Sequence, residues 1–100
     1  MTRLGDIVEK VRSKNAGPFW MTVDIFCGTA AAFARVTALP TDRVATHFQV
    51  DPGLVRRFDI ANLNVVKFSF PRPQVQGSIA DRDMHGAAFG ALLAELDVNP

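Results

Sequence analysis

The feature that most constrains the fold is a strict alternation of side chains over residues 19–27. Successive side chains of a β-strand point to opposite faces of a sheet, so a period of two predicts a strand. One set of positions is apolar and consists of Phe19, Met21, Val23, Ile25 and Cys27. The other set consists of Trp20, Thr22, Asp24 and Phe26. We therefore expect the first set to face the core of the domain.

The segment before this strand predicts a short amphipathic helix over residues 4–12. Its apolar residues Leu4, Ile7, Val8 and Val11 recur at the spacing of one helical face. Residues 13–18 contain Gly17 and Pro18, which interrupt that pattern. They are therefore predicted to form a loop that joins the helix to the strand.

Two helices and two strands are predicted in the middle of the chain. Thr29 can cap a helix that ends before Pro40, and a second helix begins at Thr41. Residues 54–60 and 64–70 predict two adjacent strands. Their shared buried face is predicted to hold Phe58, Ile60, Val66, Phe68 and Phe70. Their other face is predicted to hold Arg57, Asp59, Val65, Lys67 and Ser69.

The C-terminal part predicts a loop, a helix and a last strand. Pro71 and Pro73 end the preceding strand, because proline cannot continue a hydrogen-bonded ladder. A polar loop is expected over residues 74–82, a helix over 83–92 and a short strand over 94–98. The element order is a helix followed by β-α-β-β-α-β, which is typical of a ferredoxin-like α+β sandwich. We expect one such domain over residues 1–100.

Helices cover only one face of such a sheet. On the other face we place Trp20, Thr22, Asp24, Phe26, Arg57, Val65, Lys67 and Glu95. Large aromatic side chains on an uncovered face are typical of a surface that packs against another chain. The pattern therefore predicts an oligomer.

Bulk composition argues against several classes of function. Eleven basic and ten acidic residues give a net charge of +1, which does not favour nucleic acid or an anionic membrane as a partner. No apolar run approaches the roughly 20 residues that span a bilayer, and the first residues do not resemble a signal peptide. The single cysteine excludes a disulfide framework. We therefore expect a cytoplasmic protein.

The densest group of polar side chains lies in residues 13–18. Lys14 supplies a positive charge, and Ser13 and Asn15 supply directed hydrogen-bond donors. Gly17 allows a ligand to approach the backbone. These features favour a site for an anionic small molecule. The alternative is an ordinary helix end, with Lys14 solvated and Asn15 in an Asx turn.

Asp24 is a second candidate, because a carboxylate is disfavoured in the middle of a strand. In one interpretation it is a general base, or an acceptor that holds Lys14 or a substrate hydroxyl. In the other it forms a cross-strand ion pair with Lys67 or Arg57. Both interpretations stay open at this point.

Two arginines complete the candidate site. Arg72 stands between two prolines that fix its backbone and aim the guanidinium at a carboxylate or phosphate. Arg82 lies between two aspartates and is suited to bidentate pairing. Asp83 either joins this site or caps the following helix. Two acids separated by an arginine lack the other ligands of a calcium loop, so neither a metal nor a cofactor is predicted.

Four motifs give the chain a resemblance to a known family. They are Arg12-Ser13-Lys14-Asn15-Ala16-Gly17-Pro18-Phe19, Thr22-Val23-Asp24-Ile25, Pro71-Arg72-Pro73 and Asp81-Arg82-Asp83. Together they resemble the signature of domain of unknown function family 4387 over nearly the whole chain. Its members are small proteins similar to the C-terminal ferredoxin-fold domain of acyclic terpene utilisation proteins, and they occur beside or fused to the large domain of that type.

The resemblance implies a small subunit of a hetero-oligomeric catabolic enzyme that acts on an organic acid or an acyl-CoA thioester. Its implied partner is the large acyclic-terpene-utilisation-A-like subunit. In this hypothesis Lys14, Asn15, Arg72 and Arg82 contribute to a shared site for the anionic substrate. The resemblance supplies no established catalytic residue.

Two alternatives of different classes stay open. One is a stand-alone homo-oligomeric enzyme of lyase or hydratase type, in which Asp24 is the base and Lys14 the electrostatic stabiliser. The other is a regulatory module that binds a small acid without any reaction.

Overall fold

The structure is a computed structural model that describes residues 2–17, 19–72 and 88–98. Its α-helices are α1 (Leu4–Ile7), α2 (Ala30–Thr37), α3 (Thr41–Phe48) and α4 (Ala88–Ala94). Its strands are β1 (Lys10–Asn15), β2 (Trp20–Phe26), β3 (Arg56–Ile60) and β4 (Val65–Pro71). Short 3-10 helices cover Pro52–Leu54 and Ala61–Leu63. No helix of these ranges is both long enough and apolar enough to cross a membrane.

The four strands form one antiparallel sheet in the order β1-β2-β4-β3. Strands β2 and β3 run parallel to each other, because each is antiparallel to β4, which lies between them. Helices α2 and α3 make the crossover between β2 and β3. Together these elements confirm the predicted α+β class.

The strand at the edge beside β2 differs from the prediction. This position is held by β1, which precedes β2 in the chain, so the strand order does not confirm a ferredoxin-like topology. The predicted last strand over residues 94–98 is wrong, because α4 continues through Ala94. Of that segment only Asp97 forms a β-bridge, with Arg3. The predicted polar loop over 74–82 and the first residues of the predicted last helix lie outside the described residues.

Strand β1 replaces most of the helix predicted over residues 4–12. Helix α1 ends at Ile7, and Val8 already has extended backbone. From Lys10 the chain pairs with β2, whose neighbouring ladder outweighs the local helical spacing of four apolar residues. The predicted loop is therefore wrong for residues 13–15. Gly17, at a φ of +87°, lies in the turn of the β1–β2 hairpin, which Ala16 closes by donating to the Trp20 carbonyl at 2.9 Å.

One face of the sheet is covered by helices and forms the core. Its central residues, fully buried, are Met21, Val23, Ile25, Val66, Phe68 and Phe70. Helix residues Val36, Val44, Phe48 and Leu93 pack on them. Phe70 stacks on Phe48 with 5.0 Å between ring centroids. The predicted inward facing is thus confirmed for Met21, Val23, Ile25 and Cys27. It is wrong for Phe19, which precedes β2 and is 61% exposed.

Strand β3 has the opposite facing from the one predicted. Arg57 lies directly opposite Phe68 and faces the helices, whereas Phe58 lies opposite Lys67 and is 50% exposed. The Arg57 guanidinium explains this facing, because it donates to the carbonyls of Thr37 at 2.8 Å and Leu39 at 2.5 Å. These carbonyls end helix α2, and Arg57 thereby holds the helix on the sheet.

Candidate functional site

The side of the sheet that faces away from the helices is here called the open face. The register assigns to it Lys10, Arg12, Lys14, Trp20, Thr22, Asp24, Phe26, Arg56, Phe58, Ile60, Val65, Lys67, Ser69 and Pro71. Six residues predicted for this face lie on it, namely Trp20, Thr22, Asp24, Phe26, Val65 and Lys67. Arg57 was predicted there wrongly, and Glu95 follows helix α4 rather than lying on a strand.

The open face concentrates positive charge. Among the strand residues that the structure describes, its cations are Lys10, Arg12, Lys14, Arg56 and Lys67, and its one acid is Asp24. The chain as a whole has a net charge of only +1, so the remaining residues of the sequence include more acids than bases. The overall composition hides this asymmetry. A period-two interpretation of residues 10–14 would have found the three cations of β1.

A depression of about 540 Å³ lies along β1, within the size range of small-molecule sites. Its lining consists of Val11, Arg12, Ser13, Lys14, Asp24 and Phe26. Arg12 lies directly opposite Asp24, and Lys14 lies opposite Thr22. The depression therefore combines two cations, one carboxylate and an aromatic ring.

Asp24 stands between two cations in the sheet. Arg12 is its neighbour on β1 and Lys67 its neighbour on β4. The second neighbour agrees with the predicted cross-strand position of Lys67, although the described residues show no ion pair to Asp24 within 4.0 Å. The half-buried carboxylate is thus placed to accept a hydrogen bond from a ligand.

Cations pack over the aromatic rings of the open face. The Lys10 ammonium lies 4.8 Å from the Phe26 ring centroid, and the Arg56 guanidinium lies 5.3 Å from that of Trp20. Between these pairs, the Thr22 hydroxyl is buried and has no hydrogen-bond partner among the described residues. Cations and aromatic rings therefore lie side by side on the open face, and the Thr22 hydroxyl is buried beneath them.

The predicted loop site is divided between the two faces of β1. Lys14 lies on the open face, whereas Ser13 and Asn15 lie opposite Val23 and Met21 on the covered face. The Ser13 hydroxyl accepts a hydrogen bond from the Gly90 amide at 2.7 Å. Because neighbouring residues of a strand point to opposite sides, these three side chains do not form one cluster.

Arg72 joins the hairpin to the end of β4. It is only 7% exposed, its amide donates to the Phe19 carbonyl at 2.7 Å, and its guanidinium donates to Asn15 Oδ1. The structure therefore brings Asn15 and Arg72 together, on the side of β1 opposite to Lys14. Gly17 lies in the exposed hairpin turn. Arg82 and Asp83 lie outside the described residues.

Other reactive side chains take structural positions. His47 Nε2 donates to the Leu92 carbonyl oxygen at 2.7 Å and so links α3 to α4. Cys27 is buried, and desolvation raises the pKa of its thiol. The described ranges contain no group of three His, Cys, Asp or Glu residues that could hold a metal ion.

The chemistry that the side chains of the open face offer is anion binding, with Asp24 as a hydrogen-bond acceptor.

Comparison with protein-family models identifies the family of the chain. A family model described as Domain of unknown function (DUF4387) matches residues 4–97. The chain belongs to this family. The resemblance carried by the motif at residues 12–19 is thereby confirmed. No curated protein and no solved structure matches this DUF4387 chain.

Proposed function

We propose that this chain is a small subunit that packs its open face on a larger partner and adds cations to a shared site for an anionic substrate. The observation that carries this proposal is the charge asymmetry of the open face, with five cations against one carboxylate. A binding role fits such a surface better than a self-contained reaction. Asp24 and Lys14 are its candidate reactive groups, and neither lies in a nucleophile–base pair.

Exposed aromatic rings support an interface on this face. Phe58 is 50% exposed, and Trp20 and Phe26 remain half-exposed beside their cations. Aromatic residues and arginine are enriched in protein–protein interfaces. A partner that covers these rings removes apolar area from water, which is the main driving force for stable association.

The charge of the open face favours a different chain as the partner. Two copies packed face to face would place five cations against five, with only one carboxylate on each side. Like charges brought together at an interface cost several kcal/mol. We therefore infer a partner surface rich in Asp and Glu, which a large acyclic-terpene-utilisation-A-like subunit is proposed to supply.

The fold is compatible with this role. Strands β2, β4 and β3 with their helices keep the split β-α-β unit of a ferredoxin-like domain. We infer a ferredoxin-like domain whose outer strand is replaced by β1. That replacement adds Lys10, Arg12 and Lys14 to the open face. The substrate class proposed for the shared site is an organic acid or an acyl-CoA thioester.

A second candidate function is a homo-oligomeric enzyme of lyase or hydratase type. The depression that holds both Lys14 and Asp24 favours it. In that case Asp24 is the general base and Lys14 stabilises the developing negative charge. The matched variant Asp24→Asn keeps the shape of the side chain and removes its basicity, so an unchanged turnover rate would exclude this role.

Co-purification tests the proposal. A tagged copy of this chain is expressed with an untagged large subunit of the acyclic-terpene-utilisation-A type, and the mass of the purified material is measured by native mass spectrometry. We expect a stoichiometric hetero-oligomer, whereas the purified chain alone shows no turnover. A clean homo-oligomer that retains no large subunit would contradict the proposal and favour the second candidate.

A further inference from the structure

We propose that the depression along β1 binds a small monocarboxylic acid that carries a hydroxyl group near its carboxylate. The inference rests on the proposed function and deepens it, because it names the class of substrate that the shared site takes. The residues that recognise this ligand are Arg12, Lys14, Asp24 and Phe26, all of which line the depression.

Arg12 and Lys14 form the carboxylate end of the site. They are alternate residues of one strand, so they point to the same face with their Cα atoms about 7 Å apart. A guanidinium binds a carboxylate through two parallel hydrogen bonds, and a neighbouring ammonium adds a point charge. Both side chains are exposed, and the described residues show no ion pair within 4.0 Å to either of them.

The charged residues that line the depression favour a ligand with a single negative charge. The lining residues themselves carry two cations and one carboxylate, which leave one net positive charge. A ligand with one carboxylate neutralises it. A second carboxylate on the ligand would meet Asp24 at the other side of the depression, where like charges repel.

Asp24 selects a hydrogen-bond donor on the ligand. An ionised carboxylate only accepts hydrogen bonds, and Asp24 lies directly across from Arg12. A hydroxyl next to the bound carboxylate is therefore placed to donate to Asp24. A site built to bind a hydroxyl rejects the analogue that lacks it, because the acceptor is then desolvated without a partner.

Phe26 provides the apolar wall of the depression. Its half-buried ring lies opposite Lys10, whose ammonium packs over it at 4.8 Å from the centroid. The ring can hold the apolar part of a ligand, and the volume of about 540 Å³ leaves room for a ring-sized group. The full specificity is thus a monoanion with a hydroxyl and an apolar substituent.

Three related acids test this specificity on the isolated 100-residue chain. Mandelate has one carboxylate and a hydroxyl, phenylacetate lacks the hydroxyl, and phenylmalonate carries a second carboxylate in place of the hydroxyl. Binding is followed by NMR through the backbone amide shifts of residues 11–14 and 24–26. We expect saturable shifts with mandelate, an affinity about tenfold lower for phenylacetate, and an affinity for phenylmalonate that is lower again, because it lacks the hydroxyl and its second carboxylate meets Asp24.

Three variants assign the roles. Arg12→Gln is expected to weaken mandelate binding about tenfold or more, because it removes the bidentate partner. Asp24→Asn is expected to abolish the discrimination against phenylmalonate, since the repelling charge is gone. Arg35→Gln is the control, because it removes an exposed cation from α2 and leaves the depression untouched.

The outcomes separate this inference from the proposed function. Equal affinities for the three acids, or no saturable shift at residues 11–14 and 24–26, would overturn the inference. The same result together with a stoichiometric hetero-oligomer would leave the proposed function standing. An equal loss of binding in Arg35→Gln and Arg12→Gln would show general charge attraction and would also overturn the inference.

Discussion

The two faces of the same four-stranded sheet use the same strands for different purposes. On the covered face, Val23 and Phe68 are fully buried opposite each other, and helices pack above them. At the next pair of the same two antiparallel strands, the open face presents Asp24 beside Lys67. Alternate residues of these strands therefore have different roles. Those on the covered face stabilise the fold, and those on the open face are available to a ligand.

Two phenylalanines on neighbouring strands give the largest expected contrast. Phe70→Ala removes a fully buried ring that stacks on Phe48, and we expect a loss of about 3–5 kcal/mol in the free energy of unfolding. Phe58→Ala removes a ring that is 50% exposed, with an expected change within about 1 kcal/mol. Urea unfolding of both variants checks this. Similar losses in the free energy of unfolding for the two variants would contradict the assignment of Phe70 and Phe58 to different faces.

Two adjacent arginines of β3 lie on opposite faces of the sheet and are expected to differ in their effect on stability. Arg57→Ala removes the donors to the carbonyls that end α2, and we expect a loss of about 2–3 kcal/mol. Arg56→Ala removes a cation of the open face, with an expected change of about 0.5 kcal/mol or less. Thermal and urea unfolding report both effects. A larger loss for Arg56→Ala would reverse the assignment of β3.

Helix α4 packs closely on β1 where Gly90 meets Ser13, and this contact gives Ser13 a structural role. A Cβ at position 90 would lie 3.1 Å from the Ser13 amide nitrogen and 3.3 Å from the Arg12 carbonyl carbon. In Gly90→Ala, overpacking against β1 is expected to cost about 1–3 kcal/mol, whereas the better helix propensity of alanine returns about 1 kcal/mol. We therefore expect the free energy of unfolding to fall by about 1 kcal/mol. Ala91→Gly on the exposed side of α4 calibrates the helix term. A stabilised Gly90→Ala would contradict the close approach.

Cys27 gives the smallest expected effect. Burial raises the pKa of its thiol in the folded chain above the unfolded value of about 8.5. As the pH rises past that value, only the unfolded chain loses the proton, so the stability of the fold declines. We expect this part of the alkaline decline to vanish in Cys27→Ala, as measured by urea unfolding between neutral and alkaline pH. Rapid modification of the native thiol by a disulfide reagent at neutral pH would contradict its burial.

Most of the core could be predicted from the sequence. The strands β2 and β4 and the helices α2 and α3 follow from period-two and helical patterns with clear end signals at Thr29 and Pro40. Thr29 does cap α2, accepting from the Ala32 amide at 3.1 Å. In these elements local pattern and tertiary packing agree, which is the condition for a reliable prediction.

The candidate site was harder to predict because tertiary contacts overrule local patterns there. Strand β1 places Ser13 and Asn15 inward, so it lacks apolar alternation, and these residues are held by Gly90 and Arg72 from distant elements. Strand β3 turns Arg57 inward because α2 ends above it. Lys14 and Asp24, which the sequence offers as candidate site residues, line one depression together with Arg12, which was not among the candidates.

The most direct test of the account is the effect of open-face charge on partner binding. In the double variant Arg56→Glu with Lys67→Glu, both changes lie on the open face and outside the depression. The matched control Arg35→Glu reverses an exposed charge on the helix layer. Affinity for the proposed large subunit is measured together with the melting temperature of each protein. We expect a loss of about tenfold or more in affinity for the double variant alone, with all three proteins folded. Unchanged affinity in the double variant, or an equal loss in Arg35→Glu, would contradict it.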